Sequence, residues 1–246
     1  MVDLHCHILP GVDDGAQSLS QSLAMAALAV RGGTDTIVAT PHCGLPGGRG
    51  NFWGPDMKER FRALVQALEE AKLPLNLLPG MEFFGGSDLK ELWQQGNLLP
   101  LAGSRYLLTE FYFDESLSYM EEVFSQAVSC GLTPVAAHPE RYRAVQRQPE
   151  RIEAWFHQGY IIQLNKGSIL GDLGPRAEQT AWELLSHGLA HAVASDAHSH
   201  LRRTPDMSRV RLLLEGELGP DYTALLLEEN PRRIVRNRPV ARELPD

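Results

Sequence analysis

The sequence has few cysteines and no long apolar run, and each lack excludes a class of protein. Its three cysteines, Cys6, Cys43 and Cys130, are odd in number and far apart, which argues against a disulfide framework. No stretch approaches the ~18 apolar residues of a membrane span. The chain start also lacks the basic-then-apolar pattern of a signal peptide. These absences predict a cytoplasmic protein with no direct membrane insertion.

Basic residues are also in the minority, and the formal net charge is −8. That balance disfavours a nucleic-acid partner, because binding to a phosphate backbone usually needs a basic face. It does not exclude a small anion, which a few local cations can hold. The glycine-rich signatures of nucleotide-binding proteins are missing after the first apolar run. The length of 246 residues fits one α/β barrel domain spanning residues 1–246.

Short apolar runs alternate with segments of helical period along the whole chain. Apolar residues recur at i, i+3, i+4 and i+7 from Phe61 to Leu68, for example, which predicts a helix. Strands alternating with helices favour parallel pairing and an α/β fold, either a barrel or an open doubly wound sheet. The predicted strands are Val2–Ile8, Thr36–Ala39, Leu75–Leu78, Tyr106–Leu108, Thr133–Ala137, Tyr160–Leu164 and Ala190–Ala194.

The opening stretch MVDLHCHILPGVDD places two histidines at alternate positions of the first predicted strand. Side chains at i and i+2 of a strand point to one face, so His5 and His7 face the same way. The apolar residues between and beside them face the other way and are suited to packing. The histidine face therefore points two imidazoles at something polar.

Polar side chains of ligand type follow the ends of the predicted strands. In a parallel barrel those ends converge on one rim, where such folds keep their sites. A mixture of imidazoles and carboxylates suits Mn²⁺, Fe²⁺ or Zn²⁺ better than Ca²⁺. Nine side chains are too many for one ion but would serve three if one carboxylate bridges. The candidate ligands are His5, His7, Asp14, His42, Glu82, Glu110, His138, Asp196 and His198.

Each candidate taken alone also has an ordinary structural explanation. A single histidine at a strand end is usually hydrogen-bonded within the fold. The Asp13-Asp14 pair is of a kind that more often forms a turn or a helix cap. Joint placement after successive strands, rather than any one spacing, favours the metal-site interpretation. The remaining histidines are interpreted as ordinary: His157, His187, His191 and His200.

Eight segments of the chain resemble a known family. They are DLHCHILPGVDDG, TPHC, GMEFF, LTEF, AHPERY, QLNKGS, ASDAHS and ENPRRIV. They resemble the PHP (polymerase and histidinol phosphatase) superfamily, and within it the bacterial capsule-type tyrosine-protein phosphatases. The resemblance runs from Met1 to about Val235. It implies a PHP-type domain folded as a distorted TIM-like (β/α)7 barrel.

The resemblance also implies a site with three divalent ions, most often manganese, with iron or zinc as alternatives. It assigns His5, His7, Glu82 and Asp196 to one ion. It assigns His42, Glu82 and Glu110 to a second ion, and Asp14, His138 and His198 to a third. Arg141 and Arg203 match the phosphate-binding arginines, although the adjacent Arg202 leaves the second assignment open.

The implied reaction is hydrolysis of a phosphotyrosine monoester by a metal-activated hydroxide, with no protein nucleophile. The implied substrate is a phosphoprotein, typically the tail of a bacterial tyrosine kinase of polysaccharide or capsule synthesis. A homo-oligomer is left open. Aromatic residues that could contact the substrate ring, or simply pack, are Phe52, Trp53, Phe111, Tyr112 and Phe113.

A competing motif, HC-x5-R, spans His42, Cys43 and Arg49 and matches the signature of cysteine-dependent tyrosine phosphatases. We discount it because the expected glycine three residues after the cysteine is Pro46. The following segment also delays the helix that should start directly after the loop. Gly44–Gly54 is interpreted instead as a rim loop.

Three other functions stay open at this point. One is a different PHP phosphoesterase, either a histidinol-phosphate phosphatase or a nuclease. Another is a metal hydrolase of the amidohydrolase type, for which Lys166 comes nearest to the bridging lysine. The last is a non-catalytic, metal-stabilised binding protein. An arginine-rich end is interpreted as a solvated helix face: Arg232, Arg233, Arg236, Arg238 and Arg242.

Overall fold

The structure is a computed structural model that describes residues 1–46, 50–86 and 88–241. Strands and helices alternate along these residues. The strands are β1 Val2–Cys6, β2 Thr36–Ala39, β3 His42–Cys43, β4 Asn76–Pro79, β5 Glu82–Phe84, β6 Tyr106–Glu110, β7 Thr133–Ala137, β8 Ile161–Asn165 and β9 Ala192–Ala194. The helices are α1 Leu19–Arg31, α2 Pro55–Glu70, α3 Leu89–Gln94, α4 Leu117–Ser129, α5 Arg143–Arg147, α6 Arg151–Gln158, α7 Lys166–Ile169, α8 Pro175–Ser186, α9 Ser208–Leu218, α10 Pro220–Ala224 and α11 Asn230–Val235.

Every strand pair is parallel, which confirms the predicted α/β class. One sheet has the order β1-β2-β4 and the other has the order β3-β5-β6-β7-β8-β9. Strands β2 and β3 belong to one run of chain, interrupted at Thr40 and Pro41, and β4 and β5 are likewise separated by Gly80 and Met81. The order of strands therefore continues from one sheet into the other.

The two sheets nearly form a ring, but continuous strand pairing does not close it. Cys6, the last residue of β1, and Ala197, which lies beyond β9, form an isolated parallel bridge, and the His7 amide donates to the Ala197 carbonyl at 2.8 Å. Pro41 lies at the other break, where its lack of an N–H prevents it from donating to a ladder. A β-carbon on Gly80 would lie 2.8 Å from Val38 Cγ1, so this break also needs a glycine.

All seven predicted strands are present, with ends shifted by up to two residues. Two further strands, β3 and β5, were not predicted because runs of two and three residues carry no periodic signal. The first strand ends at Cys6, so His7 lies just beyond it. Two of the seven predicted strands are therefore each followed by a second, short strand.

The core lies between the sheets and the helices that cover them. Trp155, Phe124 and Tyr142 are fully buried there. Helix α2 turns Leu64 and Leu68 inward, as its period predicted. The histidine face of β1 is buried as well, because the other strand ends close over it. No helix among the described residues combines the length and apolar character that crossing a membrane requires.

Candidate metal centre

The structure brings together all nine of the candidate ligands. Most of them lie at or just after the carboxyl end of a strand. The other three, Asp14, His42 and Glu82, lie in the segments that follow β1, β2 and β4 respectively. Because all strands are parallel, these ends meet at one side of the sheets. Their donor atoms fall into overlapping groups in which all atoms lie within 4.8 Å of one another. Asp14 is the exception in burial, with a side chain 66% exposed.

Glu82 lies at the middle of the cluster and contacts four imidazoles. Its Oε2 lies 3.1 Å from His5 Nε2, 3.2 Å from His7 Nε2 and 3.1 Å from His42 Nδ1. Its Oε1 lies 3.1 Å from His138 Nε2. A carboxylate placed in this way can bridge two cations, which is the role that the family resemblance implies for Glu82.

Two of the three predicted ligand sets are close-packed in the structure. The Nε2 atoms of His5 and His7 lie 3.2 Å apart, with Asp196 Oδ1 at 3.5 and 3.6 Å from them. In the second set, His42 Nδ1 lies 2.6 Å from Glu110 Oε1. The predicted first and second sets are therefore geometrically possible as metal sites.

The third predicted set, Asp14 with His138 and His198, is not brought together. Asp14 Oδ1 lies 3.3 Å from His42 Nε2 and 3.4 Å from His198 Nε2, and His138 groups with His5 and Glu82 instead. The order of strands explains the difference. Asp14 follows β1, whose neighbours are β2 and the end of β9, whereas His138 follows β7 on the far side.

Three of the imidazoles are oriented by hydrogen bonds at their outer nitrogens. Nδ1 of His5 faces Gln163 Oε1 at 3.0 Å, and Nδ1 of His7 faces Asp13 Oδ2 at 2.8 Å. Nδ1 of His198 faces the Asp196 carbonyl at 3.0 Å. An Nδ1 that faces an acceptor carries the proton, so each Nε2 presents its lone pair to the cluster, as metal-binding histidines do.

Several buried atoms of the cluster lack a hydrogen-bond partner among the described residues. They include His42 Nδ1, Glu82 Oε2 and Glu110 Oε1. His42 Nδ1 and Glu110 Oε1 lie 2.6 Å apart without hydrogen-bonding angles. Buried polar atoms are otherwise nearly always paired. Their convergence, and the mixture of imidazole and carboxylate donors, fit divalent cations.

The charges of the cluster agree with that fit. Burial raises the pKa of Asp196, but His5, His138 and Arg203 outweigh it and hold that pKa below its usual range. Burial lowers the pKa of His7, but the Asp13 and Glu82 carboxylates outweigh it and raise that pKa to about 10. Without cations, the carboxylates thus favour protonation of His5, His7 and His42, whereas burial lowers the pKa values of His138 and His198. A bound metal replaces those protons.

Comparison with known proteins identifies the family of this chain. The family model described as "Capsular polysaccharide synthesis, CpsB/CapC" matches residues 1–236. The chain belongs to the CpsB/CapC family. It is 34% identical to the tyrosine-protein phosphatase YwqE of Bacillus subtilis, over 100% of this chain and 95% of that protein. It is 31% identical to the tyrosine-protein phosphatase CpsB of Streptococcus pneumoniae, over 97% of this chain and 99% of that protein.

A solved structure from the work on B. subtilis YwqE and S. pneumoniae CpsB, described as unique metal-dependent tyrosine phosphatases, is also similar. It superposes with a TM-score of 0.92 at 34% identity, covering 100% of this chain and 98% of that one. The predicted resemblance to capsule-type tyrosine phosphatases is thereby confirmed.

Both predicted arginines of this CpsB/CapC chain reach the cluster. Arg141 Nη1 lies 3.2 Å and Arg203 Nη2 lies 2.5 Å from Asp196 Oδ2. The Arg141 guanidinium also lies 4.5 Å from the centre of the Phe113 ring. Arg202 points into a different cavity, so position favours Arg203 over Arg202.

Backbone strain concentrates at the same rim. His138, Asp196 and Arg203 have φ values of 37°, 48° and 46°, in the left-handed region that non-glycine residues rarely adopt. Such residues persist only where the surrounding structure holds them, and they cluster at functional sites. Holding three of the candidate residues in this conformation therefore costs the fold some stability.

Several residues that support the centre were not predicted as parts of it. Asp13 orients His7, and its Oδ2 also accepts from the His42 amide at 2.9 Å. Gln163 orients His5, and two residues later Asn165 Nδ2 donates to Asp196 Oδ2 at 2.6 Å. A signal was available: Gln163 and Asn165 alternate at a strand end, in the same pattern as the two histidines of β1.

The competing cysteine motif is not supported. Cys43 is fully buried, and burial, with a smaller effect of Asp88, raises the pKa of its thiol to about 12. A nucleophilic cysteine needs a lowered pKa and access to substrate. Helix α2 begins only at Pro55, well after the cysteine. Arg49 and the middle of the predicted rim loop lie outside the described residues.

A pocket of about 290 Å³ opens over the cluster, and aromatic residues form part of its wall. Tyr112 and Phe113 are about half exposed there, whereas Phe111 is buried. Phe52 lines another cavity, and Trp53 packs edge-on against Phe61. Two of the five predicted aromatic contacts are therefore free to meet a ligand.

Two remaining sequence interpretations concern basic residues. Lys166 donates from Nζ to the backbone carbonyls of Thr204 and Asp206, so it does not bridge the cluster as an amidohydrolase lysine would. At the arginine-rich end, Arg232 pairs with Asp35 at 2.7 Å rather than being merely solvated. Arg242 lies outside the described residues.

Proposed function

We propose that this chain is a metal-dependent protein-tyrosine phosphatase that hydrolyses phosphotyrosine monoesters. One observation carries the proposal: a cluster of imidazoles and carboxylates in a CpsB/CapC chain has two arginines at its mouth. A purely structural metal site would be closed and would not need anion-binding groups. Residues 1–246 would act as one PHP-type domain with a distorted (β/α)7 barrel.

The cofactor in this proposal is a set of three divalent ions, with Mn²⁺ the first choice and iron or zinc the alternatives. His5, His7, Glu82 and Asp196 would hold one ion. The short distances from Asp14 to His42 and His198 favour these three as a second set. Glu82 and Glu110 would hold the third ion with His138, whose Nε2 lies 3.1 and 4.0 Å from those carboxylates.

Divalent cations bound in this way supply Lewis acidity and lower the pKa of water near the phosphate. Arg141 and Arg203 bind the phosphoryl oxygens and stabilise the charge of the transition state. Tyr112 and Phe113 provide apolar surface for an aromatic ring beside the phosphate. No side chain acts as nucleophile, since Cys43 is buried away from the pocket.

The proposed substrate is the phosphorylated tail of a bacterial tyrosine kinase of polysaccharide synthesis. The relatives' name as tyrosine-protein phosphatases and the family's description by capsular polysaccharide synthesis support this choice. Such a tail is phosphorylated in the cytoplasm, so the enzyme would act there. Nucleic acid is not proposed as a partner, and self-association would be compatible with the site.

The test is hydrolysis of a phosphotyrosine peptide before and after chelation, with Mn²⁺ added back and a parallel Cys43→Ser protein. We expect activity to be lost on chelation, restored by Mn²⁺ and unaffected by the substitution. Activity that survives chelation but needs Cys43 would overturn the proposal. Faster turnover of histidinol phosphate than of any phosphotyrosine peptide would instead identify a different PHP phosphoesterase.

A further inference from the structure

A second cavity opens beside the candidate metal centre, on the other side of Arg203. Its volume is about 460 Å³, larger than the 290 Å³ of the pocket over the centre. Arg203 lines both cavities. Asn165 lines the second one while its Nδ2 donates into the centre, to Asp196 Oδ2. A single layer of residues therefore separates the two.

We call this second cavity the basic cavity because of its ionisable lining. The cationic side chains are Lys166, Arg202, Arg203 and Arg209, and the carboxylates are Asp172 and Asp206. This local excess of positive charge contrasts with the net charge of −8 for the whole chain. An excess of this kind, next to a proposed active site, is suited to an anionic group of the substrate.

Some of these charges are already engaged within the protein. Arg203 pairs with Asp196 at 2.5 Å, and Lys166 Nζ donates to the backbone carbonyls of Thr204 and Asp206. Asp206 Oδ1 in turn accepts from the Ser208 amide at 2.9 Å, at the start of α9. These contacts fix the wall of the cavity rather than leave groups for a ligand.

Of the cationic side chains of the basic cavity, Arg202 and Arg209 remain for a ligand. Both are exposed, and within residues 1–46, 50–86 and 88–241 neither guanidinium has an ion-pair partner. The backbone of Arg202 is nevertheless fixed, because Ser199 Oγ accepts from its amide at 2.9 Å and donates to its carbonyl at 2.5 Å. An unpaired guanidinium on a well-held turn is a good carboxylate-binding group.

We propose that the basic cavity is a substrate subsite that binds an acidic side chain, Asp or Glu, close in sequence to the phosphotyrosine. The proposal rests on the proposed phosphatase function. With the phosphate against Arg203, an extended peptide advances ~3.3 Å per residue. A side chain one to three residues away would then lie at the basic cavity, whose lining includes Arg202 and Arg209. Asp172 at the same cavity disfavours a larger polyanion.

The test uses phosphotyrosine peptides in which a single Glu is moved from four residues before to four residues after the phosphotyrosine. Each is compared with the matching Gln peptide by kcat/KM. We expect a Glu preference of about fivefold at one or two positions, the size typical of an exposed ion pair. The double variant Arg202→Gln with Arg209→Gln should lose the preference.

Two controls separate the subsite from the chemistry. The double variant should hydrolyse p-nitrophenyl phosphate as fast as the wild type, because neither residue contacts the metal centre. Arg62→Gln, an exposed arginine of α2 away from both cavities, should keep the Glu preference. Arg202→Glu should reverse the preference, towards a peptide with Lys at the same position.

Equal kcat/KM for Glu and Gln peptides at every position overturns the subsite while the phosphatase function stands. A Glu preference that persists in the double variant overturns it equally. Absence of turnover on p-nitrophenyl phosphate and on every peptide, with Mn²⁺ present, overturns the phosphatase function and the subsite together.

Discussion

The metal centre and the basic cavity share Arg203, yet they are built in opposite ways. In the centre, nearly all candidate ligands are buried at strand ends, and outer hydrogen bonds fix His5, His7 and His198. In the basic cavity, the guanidinium groups of Arg202 and Arg209, which have no ion-pair partner in the part of the chain that the structure describes, are exposed, on a turn and on the first turn of α9. Under the proposed function, the sheets would position the groups that react, whereas exposed segments would select the substrate.

The largest expected effect comes from the middle of the centre. Glu82→Ala removes the carboxylate that contacts four imidazoles, and it should lower kcat/KM for a phosphotyrosine peptide by about 10³-fold or more. Asp14→Ala removes an exposed carboxylate at the edge and should lower it by about 10²-fold. The measurement is steady-state kinetics in excess Mn²⁺, with bound metal counted in both variants.

The comparison of the two variants also tests the ligand sets. Glu82→Ala should retain fewer ions than Asp14→Ala, because Glu82 would contribute to two sites. Equal losses of activity and metal, or retained activity in Glu82→Ala, would contradict the central role of this residue. Melting curves in Mn²⁺ establish that each variant is folded.

The second prediction uses two consecutive arginines, of which Arg203 lines both cavities and Arg202 lines only the basic cavity. Arg203→Lys should lower kcat/KM by about 10²-fold on p-nitrophenyl phosphate, since a lysine cannot bind phosphoryl oxygens in bidentate fashion. Arg202→Lys should leave that rate unchanged. Loss of activity in both, or in Arg202→Lys alone, would show that the boundary between centre and basic cavity is drawn in the wrong place.

Much of the centre could be predicted from sequence because its residues follow strands that carry clear apolar signals. His138, for example, comes directly after the five-residue strand β7. Because these strands are parallel neighbours, their carboxyl ends lie on the same side of the sheet. The ligands with which His42 and His138 each group could not be predicted, because they depend on which strands are neighbours in space. The break at Pro41 is part of that arrangement.

The supporting residues and the basic cavity were harder to predict for a different reason. The alternation of Gln163 and Asn165 indicates only that they share a face, and neither that pattern nor the position of Asp13 identifies the hydrogen-bond partners of these residues. Arg202 and Arg203 are adjacent in sequence, yet Arg203 also lines the pocket over the centre and Arg202 does not, which depends on the turn at Ser199 and the strained backbone of Arg203. Loop geometry of this kind leaves no periodic signal.

The third prediction concerns Asp13, which supports the centre by its contact with His7. Asp13→Asn removes the charge that raises the pKa of His7 and should weaken Mn²⁺ affinity by about 10- to 100-fold, as loss of a partner to a metal-binding histidine does. The measurement is Mn²⁺ titration at constant pH. A matched Asp14→Asn protein distinguishes loss of an orienting group from loss of a direct contact.

Asp13 also sets a dependence of stability on pH. His7 has a pKa raised to about 10 in the metal-free fold, from 6.5 ordinarily. This contribution to the free energy of unfolding is therefore complete below pH 6.5 and disappears as the pH rises through about 10. The melting temperature of metal-free protein should fall over that range, and it should fall less in Asp13→Asn. A steeper fall in the variant would contradict the assignment.

The smallest predicted effect is at Phe113, where the rim of the centre becomes exposed. Its ring lies 4.5 Å from the Arg141 guanidinium, and an exposed contact of this kind stabilises by about 0.5–1 kcal/mol. Phe113→Leu keeps an apolar side chain but loses the aromatic face, so kcat/KM for aryl phosphates should fall by about two- to fivefold. The loss should be smaller for an alkyl phosphate, which has no ring to pack against Phe113. An equal loss for both substrates would assign Phe113 to holding Arg141 alone, and an unchanged rate for both would remove it from the site.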